Sequence, residues 1–281
     1  MKRLLAILIT VLLALAALAG CGGGQDDGAG AVSGPAGEPA PAGDATADDA
    51  DAAASAEGAG QDEGAGLGEG GQEKGDGISM ETATLLYQGH GSLRITTGEG
   101  KVIYIDPYAG EGYDKPADLI LVTHAHSDHD QVKLIKNKNP DCVTITYKEA
   151  LAGGQHQVFE LGYATVEATE AGNNKNHDIR ECVGFILTLD GGKAVYVSGD
   201  TSTTDQMATL AGRGLDYAFF CCDGVYNMDV DEASACAALV KAKHSIPYHM
   251  APGELFSQER AEMFVAENRM IMAAGEEIAL I

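Results

Sequence analysis

From residue 78 onward, short apolar runs alternate with glycine-rich breaks. Residues 83–87, 92–96 and 101–105 carry closely spaced large apolar side chains, and Gly89-His90-Gly91 and Gly98-Glu99-Gly100 separate them. That pattern predicts a three-stranded meander. The continuous apolar run 119–122 reads as a buried strand leading straight into Thr123-His124. Further strands are expected at 143–146, 158–161 and 165–168, with helical stretches near 131–136 and 148–152. Residues 184–189 and 194–198 flank Asp190-Gly191-Gly192 and predict a hairpin. After Gly199-Asp200 the pattern alternates: helix 204–211, strand 217–220, helix 231–241, strand 245–247. A helix at 258–266 and a short strand at 278–280 close the chain. Strands in both halves with helices between them imply an α/β fold, sheets inside and helices outside.

Before residue 78 this pattern is absent. Met1-Lys2-Arg3 precedes an apolar run over 4–19 that ends in Leu18-Ala19-Gly20-Cys21. A basic start, an apolar stretch short of the roughly 20 residues that span a bilayer, and a small-residue boundary predict a signal peptide at 1–20. Leu-Ala-Gly-Cys resembles a bacterial lipobox, which implies cleavage before Cys21 and lipidation of that cysteine. The chain is then extracytoplasmic and lipid-anchored, touching the membrane through Cys21 alone. Residues 22–77 hold 17 of the 37 glycines, thirteen acids and one lysine, a net charge of −12. With almost no large apolar residue, 21–77 is expected to be a disordered tether with a reach of about 40 Å.

Charge changes the picture of function. The chain carries −24 overall, of which −14 falls on residues 78–281. Such a domain lacks the clustered cations that nucleic acid requires, so that partner is excluded. Five cysteines follow Cys21 (Cys142, Cys182, Cys221, Cys222 and Cys236), an odd number without zinc-knuckle spacing, and they read as free thiols. All eight histidines lie beyond residue 80. The chemistry therefore belongs to 78–281.

His124-Ala125-His126-Ser127-Asp128-His129 puts three imidazoles and a carboxylate into six residues after a buried strand. In an extended segment His124 and His126 face the same way and can share one metal, while Asp128 and His129 turn toward a neighbouring position about 3.5–4 Å away. Imidazole and carboxylate donors without thiolate suit zinc, and accept manganese or iron(II). Asp200 leaves an apolar strand after Gly199, where a carboxylate can emerge from a sheet edge. His249 follows Ile246-Pro247-Tyr248. His244 reads as structural and His156 as solvent-facing.

These motifs resemble the metallo-β-lactamase superfamily, whose signature is His-x-His-x-Asp-His at a strand end. The resemblance covers 81–281 and implies a four-layer αββα sandwich. Gly89-His90-Gly91-Ser92, Asp106-Pro107, Gly199-Asp200-Thr201 and Pro247-Tyr248-His249 resemble one branch, which includes L-ascorbate-6-phosphate-lactonase-like and small stand-alone hydrolases. By that resemblance Asp200 bridges two ions, Asp128, His129 and His249 hold the second, and Asp106 orients a ligand histidine. His90 is expected beside the metals, touching a metal ligand or the substrate. Asp128, Asp200 and His90 are the catalytic candidates. The loop that carries a further ligand histidine in the family reads from Glu167 to His177 here, so Glu170, Asn173, His177 or water fills that place. Retention of both His126 and His129 sets the chain apart from redox di-iron relatives.

Two divalent ions, less the charges of Asp128, Asp200 and a bridging hydroxide, leave about +1, which suits oxyanion stabilisation. The expected activity is metal-dependent hydrolysis of an ester, lactone, amide or phosphoester in a small molecule. Asp223 to Met228, expected at the site mouth, carries no cation, and Lys175 and Arg180 are the nearest positive charges in sequence. The competing expectation is a degenerate surface lipoprotein that binds a ligand or metal without turnover. Oligomeric state is not legible.

Overall fold

The computed structural model describes residues 81–281. The signal segment, Cys21, the tether and residues 78–80 lie outside the described residues. Twelve strands form two six-stranded mixed sheets. The first contains β1 (Thr84–Gly89), β2 (Ser92–Thr96), β3 (Val102–Ile105), β4 (Ala117–Val122), β5 (Lys138–Thr146) and β12 (Glu277–Ala279), in the order β12-β1-β2-β3-β4-β5. The second contains β6 (Val158–Glu160), β7 (Ala164–Glu170), β8 (Val183–Leu189), β9 (Ala194–Val197), β10 (Tyr217–Cys221) and β11 (His244–Tyr248), in the order β11-β10-β9-β8-β7-β6. β1–β2–β3 is the expected antiparallel meander and β8–β9 the expected hairpin. β3, β4 and β5 run parallel, as do β9, β10 and β11.

One face of each sheet supplies a shared core. Leu85, Ile95, Ile103 and Leu119 from the first sheet join Val166, Phe185, Val195 and Phe219 from the second in one buried cluster. Side chains two apart on a strand share a face, so the alternate residues Tyr104 and Ile120 form a smaller cluster on the outer face of the first sheet. The result is a two-sheet α/β sandwich, the architecture that the resemblance implied. Pro140 is accommodated because β5 lies at a sheet edge, where a missing N–H costs no ladder bond.

The helices are shorter than the sequence pattern suggests. Among the described residues, one α-helix, α2 (Val230–Val240), exceeds two turns; Asp229 caps it by accepting from the Glu232 N–H. α1 (Tyr147–Ala150) and α3 (Gln258–Met263) are single-turn to two-turn pieces. The stretch expected as helix at 131–136 is a 3-10 turn over Val132–Leu134, too short to repay helix nucleation. The one expected at 204–211 is a 3-10 helix over Asp205–Gly212. Its two buried anchors, Met207 and Leu210, are three residues apart, a spacing that lines up in a 3-10 helix.

Candidate metal centre

Six chain segments deliver the site from strand ends. β1 runs into His90, β4 into His124, β7 into the loop carrying His177, β9 into Asp200, β10 into Asp223, and β11 into His249. Among the described residues, five other than glycine have positive φ, and three of these lie at the site: His90, Asp106 and His249. Such conformations persist only where surrounding contacts impose them, and they gather at functional sites.

Asp200 is the centre of the arrangement. Its Oδ2 lies 3.4 Å from His177 Nε2, 3.4 Å from His249 Nε2 and 3.9 Å from His124 Nε2, and its Oδ1 lies 3.3 Å from His129 Nε2. On one side, His124, His126 and His177 offer donors within 4.8 Å of one another. On the other, His90, Asp128, His129 and His249 do the same. Asp200 joins His124 and His129 in a third such group, and so links the two sides.

Further residues fix the donors. Asp106 is fully buried; its Oδ2 accepts from His129 Nδ1 at 2.8 Å and from the Thr123 hydroxyl at 2.6 Å, and its Oδ1 accepts from the Thr123 N–H. His129 is thereby turned with Nε2 toward Asp200. Asp223 does the same for His249, whose Nδ1 is 3.4 Å from Asp223 Oδ2. Asn227 donates from Nδ2 to both Asp200 Oδ2 (2.8 Å) and Asp223 Oδ2 (2.7 Å). The loop after β7 is folded back by Asn174, whose Oδ1 accepts from the N–H groups of Asn176 and His177. Gly172 permits this because a Cβ there would meet His177 O at 2.8 Å.

Electrostatics agree with a cation at this point. Burial, and then the neighbouring His129, hold the His124 pKa well below the usual imidazole value, leaving a free lone pair. Burial also lowers His177. Burial opposes the charging of His249, yet Asp200, Asp128 and Asp223 outweigh it and push its pKa up to about 9. Burial works against ionised Asp200 as well, and His249 and His129 reverse that effect. Carboxylates this deep call for positive charge. The Nε2 atoms of His124, His129 and His249 and Asp200 Oδ1 are buried without a hydrogen-bond partner among the described residues. Unpartnered imidazole nitrogens converging on a carboxylate fit divalent ions with zinc-type preferences.

Gly91 supplies a test of this geometry. A Cβ at Gly91 would lie 2.8 Å from His129 Cε1 and 3.2 Å from its Nδ1, and the ring cannot yield because Asp106 holds it. Gly91→Ala is expected to leave the circular dichroism spectrum intact while lowering metal affinity by about 10- to 100-fold. Unchanged affinity in a calorimetric titration would show that His129 is not held as described.

The structure brings His90, His124, His126, Asp128, His129, His177, Asp200 and His249 together. It corrects several details. The His-x-His-x-Asp-His segment is a turn, not an extended strand; the N–H groups of His129 and Asp130 both reach His126 O. The rings of His124 and His126 still meet, with centroids 4.5 Å apart. Glu170 and Asn173 are engaged elsewhere: Glu170 accepts from the Gln206 N–H, and Asn173 donates to Thr203 O. That leaves His177 in the loop position. His156 is half-buried with Nε2 shielded from water, not solvent-facing. His244 stacks on Tyr217 away from the centre, as a structural residue should. Asp223 and Asn227 were not marked by sequence as positioning groups, although the loop that bears them was.

The five described cysteines are free. Cys142 is half-buried, whereas the others are buried, and burial pushes Cys182 and Cys222 up to about 12, so these thiols are poor nucleophiles. A pocket of about 360 Å³ opens over the metal donors, walled by Tyr108, Ser127, Asn176, Tyr226 and Pro252, with no Lys or Arg in its lining. Arg180 is exposed and paired with Asp178 outside this pocket.

Residues 84–249 match the family model described as the beta-lactamase superfamily domain. A UPF0173 metal-dependent hydrolase from Geobacillus sp. is 30% identical over 209 residues, 64% of this chain and 90% of that protein. Another, from Methanosphaera stadtmanae, is 27% identical over 230 residues, 68% of this chain and 97% of that protein. A crystal structure from Parabacteroides distasonis superposes with a TM-score of 0.56 at 27% identity, covering 68% of this chain and 92% of that one. With its histidines and aspartates gathered at the strand ends of a two-sheet sandwich, the chain belongs to the metallo-β-lactamase superfamily, among the UPF0173 metal-dependent hydrolases.

Proposed function

We propose that this metal-dependent hydrolase is lipid-anchored outside the cytoplasm and uses two divalent ions, zinc by preference of the donor set, to cleave an ester, lactone, amide or phosphoester bond in a small molecule. The observation that carries the two-ion reading is Asp200, with imidazoles of both donor groups within 4 Å of its two oxygens. When bound, such ions supply a water acidified to a pKa of about 7 and a Lewis-acid contact for the substrate oxygen. The protein supplies the rest. Asn227 keeps Asp200 aimed between the donor groups, and Asp106 and Asp223 fix the rings of His129 and His249. Asp128, one-third exposed on the pocket wall, is placed to exchange a proton with substrate. His90 Nε2 lies 3.2 Å from it. Tyr108 and Tyr226 offer ring surface to the organic part of the substrate.

Lys2, Arg3, the apolar run and Leu-Ala-Gly-Cys support the lipid anchor. Among the described residues no helix is long and apolar enough to cross a membrane. Cys21→Ser is expected to leave the precursor uncleaved and without lipid, read by mass spectrometry of the membrane fraction. Maturation at the same position with the lipid retained would refute the anchor.

A binding protein without turnover was the alternative. Its support weakens because His177 occupies the loop position that sequence left open. The deciding test is a screen of the purified chain against esters, lactones, amides and phosphodiesters, before and after chelation. Turnover lost with the metal and restored by zinc is expected. Two bound ions and no turnover on any class would favour the binding protein.

A further inference from the structure

His90 is fully buried, and its ring makes two polar contacts. Nδ1 lies 2.9 Å from Glu254 O, a carbonyl that can only accept, so Nδ1 carries the ring proton. In a neutral ring Nε2 then presents a lone pair. Its neighbour is Asp128 Oδ2 at 3.2 Å, which is also an acceptor. Two lone pairs at that distance need positive charge between them, either a proton or a metal ion. The separation suits an ion, because ligands about 2.0–2.2 Å from one five-coordinate centre lie roughly 2.8–3.8 Å apart.

The backbone shows the same commitment. His90 holds a φ of +55°, an uncommon conformation for any residue other than glycine. Its N–H donates to Leu255 O, and its carbonyl accepts from the His249 N–H at 2.9 Å. The two rings are thus delivered as a pair. We propose that His90 is a direct ligand of the second ion, completing with Asp128, His129 and His249 a donor set that Asp200 closes from the other side. This rests on the two-ion reading above. It departs from the sequence expectation, in which His90 only touches a metal ligand or the substrate, and gives each ion three imidazoles.

The test uses the full chain loaded with cobalt(II). A histidine bound through Nε2 keeps its Nδ1 proton, which appears as a hyperfine-shifted, exchangeable proton NMR signal. His90→Asn is the informative variant because asparagine tolerates positive φ. The expected result is one shifted exchangeable signal fewer in His90→Asn than in the unaltered chain, with affinity for one of the two cobalt ions reduced at least 100-fold. An identical set of shifted signals with two ions bound would overturn the assignment of His90 alone. Uptake of fewer than two ions by the unaltered chain would overturn the two-ion reading beneath it. Should the variant fail to fold, X-ray absorption on the zinc-loaded unaltered chain decides: an average of three imidazoles per zinc supports the proposal, and two and a half overturns it.

Discussion

Asp200→Ala is expected to lose one of the two ions and to lower kcat/KM by roughly 1,000-fold or more. Two divalent charges about 3.5 Å apart repel by on the order of 20 kcal/mol at an effective dielectric of about 20, so a shared anion is needed to hold them. Asp200 is the carboxylate within 4 Å of imidazoles on both sides, and it is almost wholly buried. His177→Ala removes one imidazole from one side and is expected to cost about 10- to 100-fold. Metal content by plasma mass spectrometry and initial rates on the best substrate from the screen provide the comparison. An Asp200→Ala chain that keeps two ions and the unaltered rate would break the mechanism. Equal losses in the two variants would instead make His177 as important as the bridge.

Asp106→Ala should have the second largest effect, and on two quantities at once. It strips partners from His129 Nδ1, the Thr123 N–H and the Thr123 hydroxyl in a fully buried position. Removing one member of such a buried network costs about 3–5 kcal/mol. Alanine also resists the φ of +46° that Asp106 adopts. With His129 no longer oriented, metal affinity is expected to fall about 10- to 100-fold. Denaturant unfolding of the metal-free chain isolates the stability loss, and calorimetric titration isolates the affinity loss. Loss of stability with unchanged affinity would mean that Asp106 only braces β4 and does not aim His129.

Both residues could be read from the chain because each closely follows an apolar strand. A strand that ends at a sheet edge must release its next polar residue there, which is why His124, Asp106, Asp200 and His249 were all legible. Asn227 and Asp223 were not, since their role depends on a loop returning across 27 residues to touch Asp200. His177 was ambiguous for a similar reason. Its position is set by the Asn174 turn and by the close approach of Gly172, and neither leaves a periodic signal. The extended reading of His124 to His129 failed because the backbone turns immediately after β4, yet His124 and His126 remained neighbours. The sheets were expected from the alternating runs, but their order was not. Pairings such as β1 with β12 join segments nearly two hundred residues apart.

The most direct test of the account is anomalous scattering at the zinc edge from crystals of the zinc-loaded chain. Two peaks about 3.5–4 Å apart are predicted, with Asp200 between them, His124, His126 and His177 around one, and Asp128, His129 and His249 around the other. A single peak outside these donors, or none at full zinc loading, would contradict it.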